Sequence, residues 1–112
     1  MIDSCLFCRL VRGDIPSRKV FEDEEILAFH DIHPAAPVHF LMIPKIHRDS
    51  LSQCDDSDQP LLGKMLLLVP RLAKGLGLSG FKTIIHTGAT GGQEVFHLHI
   101  HVLGGGHSNP NS

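Results

Sequence analysis

Three histidines at alternate positions, His97-Leu98-His99-Ile100-His101-Val102-Leu103, follow directly on Gly91-Gly92-Gln93. Imidazole takes up and gives up protons near neutral pH, and its neutral form is a competent nucleophile. Three on one face allow a division of labour, in which the middle one attacks an electrophile while a neighbour steadies charge or protonates the leaving group. Gly91 and Gly92 let backbone amides come close to a phosphate. Phosphorus is therefore a better candidate electrophile than an acyl carbon, because no serine or cysteine stands out as a poised nucleophile. With nine histidines in 112 residues, chance alone produces such a pattern roughly one time in twenty. The large aliphatic spacers, the closing glycines and the preceding Gly-Gly-Gln argue against chance.

Cys5-Leu6-Phe7-Cys8 has the C-x-x-C spacing that lets two thiolates hold one zinc ion. Two more ligands are needed, and His47 and one of the alternating histidines are available. A redox dithiol and two buried helix cysteines are the competing readings. Cys54, in an acidic stretch, reads as a bystander. Asp31, beside apolar Phe29 and Ile32, is placed to accept from the two hydroxyls of a ribose, although an isolated aspartate there is more often a turn residue. His30 and His33 read as surface or locally satisfied side chains.

These groups need a frame. On a strand, successive side chains alternate in face, so His97, His99 and His101 share one side while Leu98, Ile100 and Val102 fill the other. The start reads as a short helix capped by Ser4 or Asp3 and stopped by Gly13. Strands are expected at 19–21, 26–30, 39–43 and 81–86, and a last one at 96–103. The acidic turn 22–25 reads as a solvated hairpin end, and Asp58 as the N-cap of a helix from Gln59 or Pro60 to about Gly75. Together these elements make an α+β domain with an antiparallel sheet.

A chain of 112 residues makes a single domain, 1–112, with 104–112 a loosely ordered polar tail that carries an exposed His107. A large cleft on so small a domain must be shared or shallow, which favours a dimer. The net charge of -2 offers no basic footprint for nucleic acid. The apolar stretch 61–78 carries Lys64, Arg71, Lys74 and three glycines, so it reads as a core helix and no membrane association is expected. The start shows no signal peptide, and three cysteines argue for reduced thiols, hence a cytoplasmic location.

The run from His97 to Leu103 resembles the signature of the histidine triad family, His-φ-His-φ-His-φ-φ with φ apolar, without exception. Gly13-Asp14-Ile15-Pro16, Leu27-Ala28-Phe29-His30-Asp31-Ile32, Ala36-Pro37-Val38-His39-Phe40, Ile43-Pro44-Lys45, Gly91-Gly92-Gln93 and Val102-Leu103-Gly104-Gly105 fall in the order seen in its nucleotide-binding branch. The resemblance implies a five-stranded antiparallel sheet with two helices, and a homodimer with one continuous ten-stranded sheet. It implies hydrolysis of purine nucleoside 5'-phosphoramidates at the α-phosphorus, releasing AMP or GMP without a catalytic metal. By family role His99 is the nucleophile, His101 and Gln93 contact phosphate oxygens, and His39 and His97 complete the histidine cluster. Asp31 binds the ribose, and Phe7, Leu10, Phe29 and Ile32 surround the purine, with His86, Glu94 and Val95 also in the nucleotide site.

Cys5 and Cys8 are similar to those of zinc-bearing bacterial members, which implies the ligand set Cys5, Cys8, His47 and His97. That set competes with an acid-base role for His97, and the zinc role is preferred. The chain departs from many relatives at His86, where they have asparagine, and at Glu94, where vertebrate-type proteins have serine. A carboxylate beside phosphate is repulsive when ionised. Two other functions stay open: dinucleoside polyphosphate hydrolysis, and a nucleotide-binding dimer with little catalysis.

Overall fold

The computed structural model describes residues 4–105. Two helices and five strands follow one another as α1 (Leu6–Arg12), β1 (Lys19–Glu22), β2 (Ile26–His30), β3 (Val38–Pro44), α2 (Gln59–Gly75), β4 (Phe81–Ile84) and β5 (Ile100–Gly104). The strands form one sheet in the order β1-β2-β3-β5-β4, every neighbouring pair antiparallel. Among the described residues no helix is long and apolar enough to cross a membrane.

Strand alternation sorts the apolar side chains into two layers. Ile26, Ala28, Phe40, Met42, Ile100 and Val102 face α2 and pack with its Met65, Leu68 and Val69. Leu27, Phe29, Leu41 and Ile43 lie on the other face with Phe7 and Leu10 of α1. Burial on both sides explains why β2 and β3 read as nearly continuous apolar runs. The short α1 covers only part of its face, and the histidines stand in the rest.

Several local expectations are corrected. The cap of α1 is Cys5, whose sulfur accepts from the Cys8 N–H at 3.3 Å; Ser4 is exposed, and Asp3 and His107 lie outside the described residues. Gly13 ends the helix at φ 82°, as its sequence position suggests. Asp58 precedes α2 without capping it, because its carboxylate already takes the Asp55 N–H and the Arg48 guanidinium. The 22–25 turn is the largely exposed hairpin end expected, and salt bridges also hold it, with Lys64 of α2 reaching Asp23 and Glu25, and Lys19 and Lys45 reaching Glu22. Gly104 belongs to β5 rather than a tail: a Cβ there would stand 2.9 Å from the Gly80 carbonyl oxygen.

The last strand starts at Ile100, four residues later than expected from the sequence. Upstream of it the chain leaves the ladder, and the Leu98 N–H donates instead to the Arg48 carbonyl at 2.7 Å. His97 and His99 nevertheless keep to one side, both edge-on to Phe7, and Leu98 between them is buried. Similarly β4 ends at Ile84, which leaves His86 outside the ladder.

Candidate active site and metal centre

Cys5, Cys8, His47 and His97 bring one ligand atom each to within 4.8 Å of one another. The first two come from the start of α1, His47 from the turn after β3, and His97 from the segment before β5. Cys5 Sγ lies 3.3 Å and Cys8 Sγ 3.6 Å from His97 Nδ1, and Cys8 Sγ lies 3.3 Å from His47 Nδ1. Ordinary zinc–sulfur and zinc–nitrogen bond lengths at tetrahedral angles put S and N about 3.5 Å apart. The far nitrogens are held as well, since His97 Nε2 donates to the Pro44 carbonyl at 2.8 Å and His47 Nε2 pairs with Asp49 at 2.6 Å. Each ring therefore carries its proton on Nε2 and turns the Nδ1 lone pair toward the thiols, as outer partners do in zinc sites. Burial pushes the Cys5 thiol up, a cost that a bound cation would offset. The residues fit a structural zinc. Both ring nitrogens of His97 already have partners, the thiols on Nδ1 and the Pro44 carbonyl on Nε2.

Asp31, His39 and His101 form a second converging group. Its hydrogen bonds point to a different use. Ala35 N–H donates to His39 Nδ1 at 3.0 Å, so His39 carries its proton on Nε2, the atom that faces His101 Nδ1 at 3.0 Å and Asp31 at 3.4 Å. A metal there would need the lone pair that this proton occupies. The proton instead makes a relay: His39 donates to His101 Nδ1, and His101 is left with an Nε2–H to give.

His99 is oriented in the opposite sense. Its Nδ1–H donates to the His97 carbonyl at 2.7 Å, which leaves the Nε2 lone pair as the nucleophilic atom. Phe7 stands edge-on to the ring, with centroids 5.1 Å apart at 90°. Burial pushes the His99 pKa down, so the imidazole stays neutral where a nucleophile must. His101 packs against it with ring centroids 4.9 Å apart, and burial together with the neighbouring imidazoles lowers its pKa to about 4. The unfolded chain takes up a proton at this histidine from about pH 6.5 downward while the folded chain resists until about 4. Stability from this group is whole above 6.5 and is lost as the pH falls through that window. An NMR titration of His101 should show a midpoint well below the ordinary imidazole value; a midpoint at or above it would contradict the packing.

These histidines open onto a cavity of about 980 Å³ in one chain. A cleft expected to be shared or shallow is, on this chain, an open one, lined by α1, β2 and the segments around β5. Phe7, Leu10 and Phe29 form its apolar wall, Asp31 and Ile32 one rim, and His86, Glu94 and Val95 another part of the lining. Gln93 is not in the wall. It is 4% exposed, its oxygen takes the Gly88 N–H, and its amide nitrogen donates to the Asp49 and Val95 carbonyls. The direct phosphate contact expected of Gln93 gives way to holding the glycine loop in shape. The loop amides are corrected likewise, since Gly91, Gly92 and Gln93 N–H all donate back into the turn. Glu94 and Val95 N–H make no hydrogen bond among the described residues. Gly92 is required as glycine: its φ is +92°, and a Cβ would meet His86 Cδ2 at 3.3 Å.

The HIT domain family model matches residues 12–108. The chain belongs to the HIT domain family. It is 57% identical to Protein HitA of Neisseria gonorrhoeae over 92% of this chain and 97% of that protein. Its fold matches a HIT family hydrolase from Legionella pneumophila Philadelphia 1 with a TM-score of 0.90 and 44% identity, covering 97% of this chain and 100% of that one. A histidine triad protein from Clostridium difficile superposes with a TM-score of 0.91 at 41% identity, covering 100% and 98% of the two chains.

Sequence reasoning missed several parts of the site in this HIT domain. Asp49, which orients His47, had a local signal in its His-x-Asp spacing. The Pro44 and His97 carbonyls and the Ala35 N–H had none, because backbone groups carry no residue-type signature. Arg18 lines the cavity from the approach to β1, which only the folded chain brings near.

Proposed function

We propose that this HIT domain is a purine nucleoside 5'-phosphoramidate hydrolase that works through a nucleotidylated His99 and releases AMP or GMP. The observation that carries the reading is the His99 tautomer: the Nδ1 bond to the His97 carbonyl leaves an Nε2 lone pair in a neutral, buried ring beside the cavity. His99 Nε2 attacks the α-phosphorus while His101 Nε2–H and the free amides of Glu94 and Val95 bind the phosphoryl oxygens. Asp31 accepts from the ribose hydroxyls, and the Phe7, Leu10, Phe29 and Ile32 wall takes the purine. Water then cleaves the P–N bond to His99. His39 acts through His101 by fixing its tautomer, and no step requires a metal.

Zinc held by Cys5, Cys8, His47 and His97 would tie α1 to the segment whose carbonyl orients His99. A cytoplasmic location suits that reading, with Cys5 and Cys8 kept reduced. We also read β4 as a dimer edge. It ends the sheet, its Phe81, Lys82 and Thr83 are exposed, and pairing with a second copy would give ten continuous strands. Steady-state AMP release from adenosine 5'-phosphoramidate, run beside diadenosine tetraphosphate, tests the activity. The phosphoramidate is expected to be cleaved faster. Preference for the tetraphosphate would make the protein a polyphosphate hydrolase, and AMP binding without cleavage of either would make it a binding module.

A further inference from the structure

A phosphoramidate nitrogen cannot leave as an amide anion, so some group must hand it a proton as the P–N bond breaks. Most histidines at the site are already engaged. His97 and His47 are turned to the thiols, His39 is spent on Ala35 and His101, and His99 is the nucleophile. His101 can give a hydrogen bond through Nε2, but burial and its neighbours keep it neutral, so it is a poor source of a transferable proton. Glu94 lines the cavity too, yet a carboxylate next to a phosphate repels it when ionised.

His86 is different. It is half-buried, it lines the cavity, and neither of its ring nitrogens makes a hydrogen bond among the described residues. Its ring packs on His101 with centroids 5.5 Å apart at 66°, and its Cδ2–Nε2 edge lies close to Gly92. That contact sets it between the nucleophile's neighbour and the glycine loop. An imidazole at this place has a conjugate acid that is cationic, which suits a phosphate, and it needs no rearrangement of an existing bond to use either nitrogen.

We propose that His86 protonates the departing nitrogen in the first step and takes the proton of the attacking water in the second. The proposal rests on reading the cavity as a nucleotidyl-hydrolase site. As His99 Nε2 bonds to phosphorus, the electron pair of the breaking P–N bond goes to the leaving nitrogen. That nitrogen receives the His86 proton and departs as a neutral amine. Neutral His86 then removes a proton from water as its oxygen attacks, and the electron pair of the second P–N bond returns to His99 Nε2. His86 regains its charge, so the cycle balances.

Leaving-group dependence tests this. Single-turnover release isolates the first step, with an alkylamine phosphoramidate of AMP as the substrate that needs a proton and the 4-nitrophenyl ester of AMP as one that does not. His86→Asn keeps a polar side chain without a transferable proton, and His86→Gln, made alongside, guards against a packing defect of the shorter one. Release of the alkylamine should fall about a hundredfold in both variants while release of 4-nitrophenol stays nearly unchanged. Equal losses on the two substrates in both variants, or no loss on either, would overturn the assignment. His99→Ala separates the two levels of the argument: turnover retained there sinks the nucleotidyl-hydrolase reading itself, whatever His86 does.

Discussion

Substituting His99→Ala should lower phosphoramidate turnover by on the order of 10⁵-fold while leaving AMP affinity and the melting temperature close to those of the unmodified protein. The size of the loss follows from the role. Without a nucleophile the two-step route is gone, and only the binding of the phosphoryl group by His101 and the loop amides remains. Affinity survives because Asp31 and the apolar wall of the cavity, which would hold the nucleoside, lie on α1, β2 and the turn that follows rather than on His99. By contrast, His39→Ala leaves the nucleophile in place, removes the donor that fixes the His101 tautomer and the acceptor of the Ala35 N–H, and should cost about a hundredfold. Steady-state AMP release and calorimetric titration with AMP give the two quantities. A nucleotidyl adduct, stable in base because the bond is P–N to imidazole, should be trapped on the unmodified chain and absent from His99→Ala. Turnover in His99→Ala within tenfold of the unmodified protein would sink the nucleophile assignment.

Loss of the metal centre should have the next largest effect, and it should appear in stability as well as in rate. Cys8 is fully buried, and its sulfur faces both His47 and His97. Cys8→Ala is expected to abolish zinc retention, and the unmodified protein is expected to purify with about one ion per chain. With free zinc at a thousand times its Kd, binding adds about 4 kcal/mol to the folded state. For a domain of this size, removing it lowers the melting temperature by roughly 15 °C. Turnover should fall with it, since the carbonyl that orients His99 belongs to His97 itself. Cys54→Ala serves as the control and should change neither metal content nor melting. Its thiol lies 3.8 Å from the Ser50 carbonyl and beside Asp58, and it is not one of the four converging ligands. Elemental analysis and calorimetry decide the matter: less than about half an equivalent of zinc in the unmodified protein would count against a tight site.

How much of the site is legible in the order of residues depends on the distance over which each feature is determined. The histidine alternation is a property of any extended segment, because period-two geometry is local. It therefore persists through 97–99, where the chain has left the hydrogen-bonded ladder. The C-x-x-C pair is equally local, since one helical turn brings Cys5 and Cys8 to the same end of α1. Gly13 as a stop and Gly92 as a position closed to side chains follow from their backbone angles. The start of β5, in contrast, depends on where β3 and β4 run out of partners, and no local pattern encodes that.

Residue types thus specified the candidate nucleophile, the metal ligands and the apolar wall, because the chemistry of a side chain comes with its identity. Folding decided what each of them is free to do. Whether an imidazole is a base, a donor or a ligand turns on which nitrogen holds the proton, and that is decided by its hydrogen-bond partner: the nearby Ala35 for His39 and Asp49 for His47, but Pro44, from a distant strand, for His97. The same applies to Gln93, a plausible phosphate contact by type, whose amide the fold turns inward to hold a loop. Hydrogen bonds to backbone groups are short-ranged and directional. Only the tertiary structure brings Pro44 within reach of His97 and Asp49 within reach of Gln93.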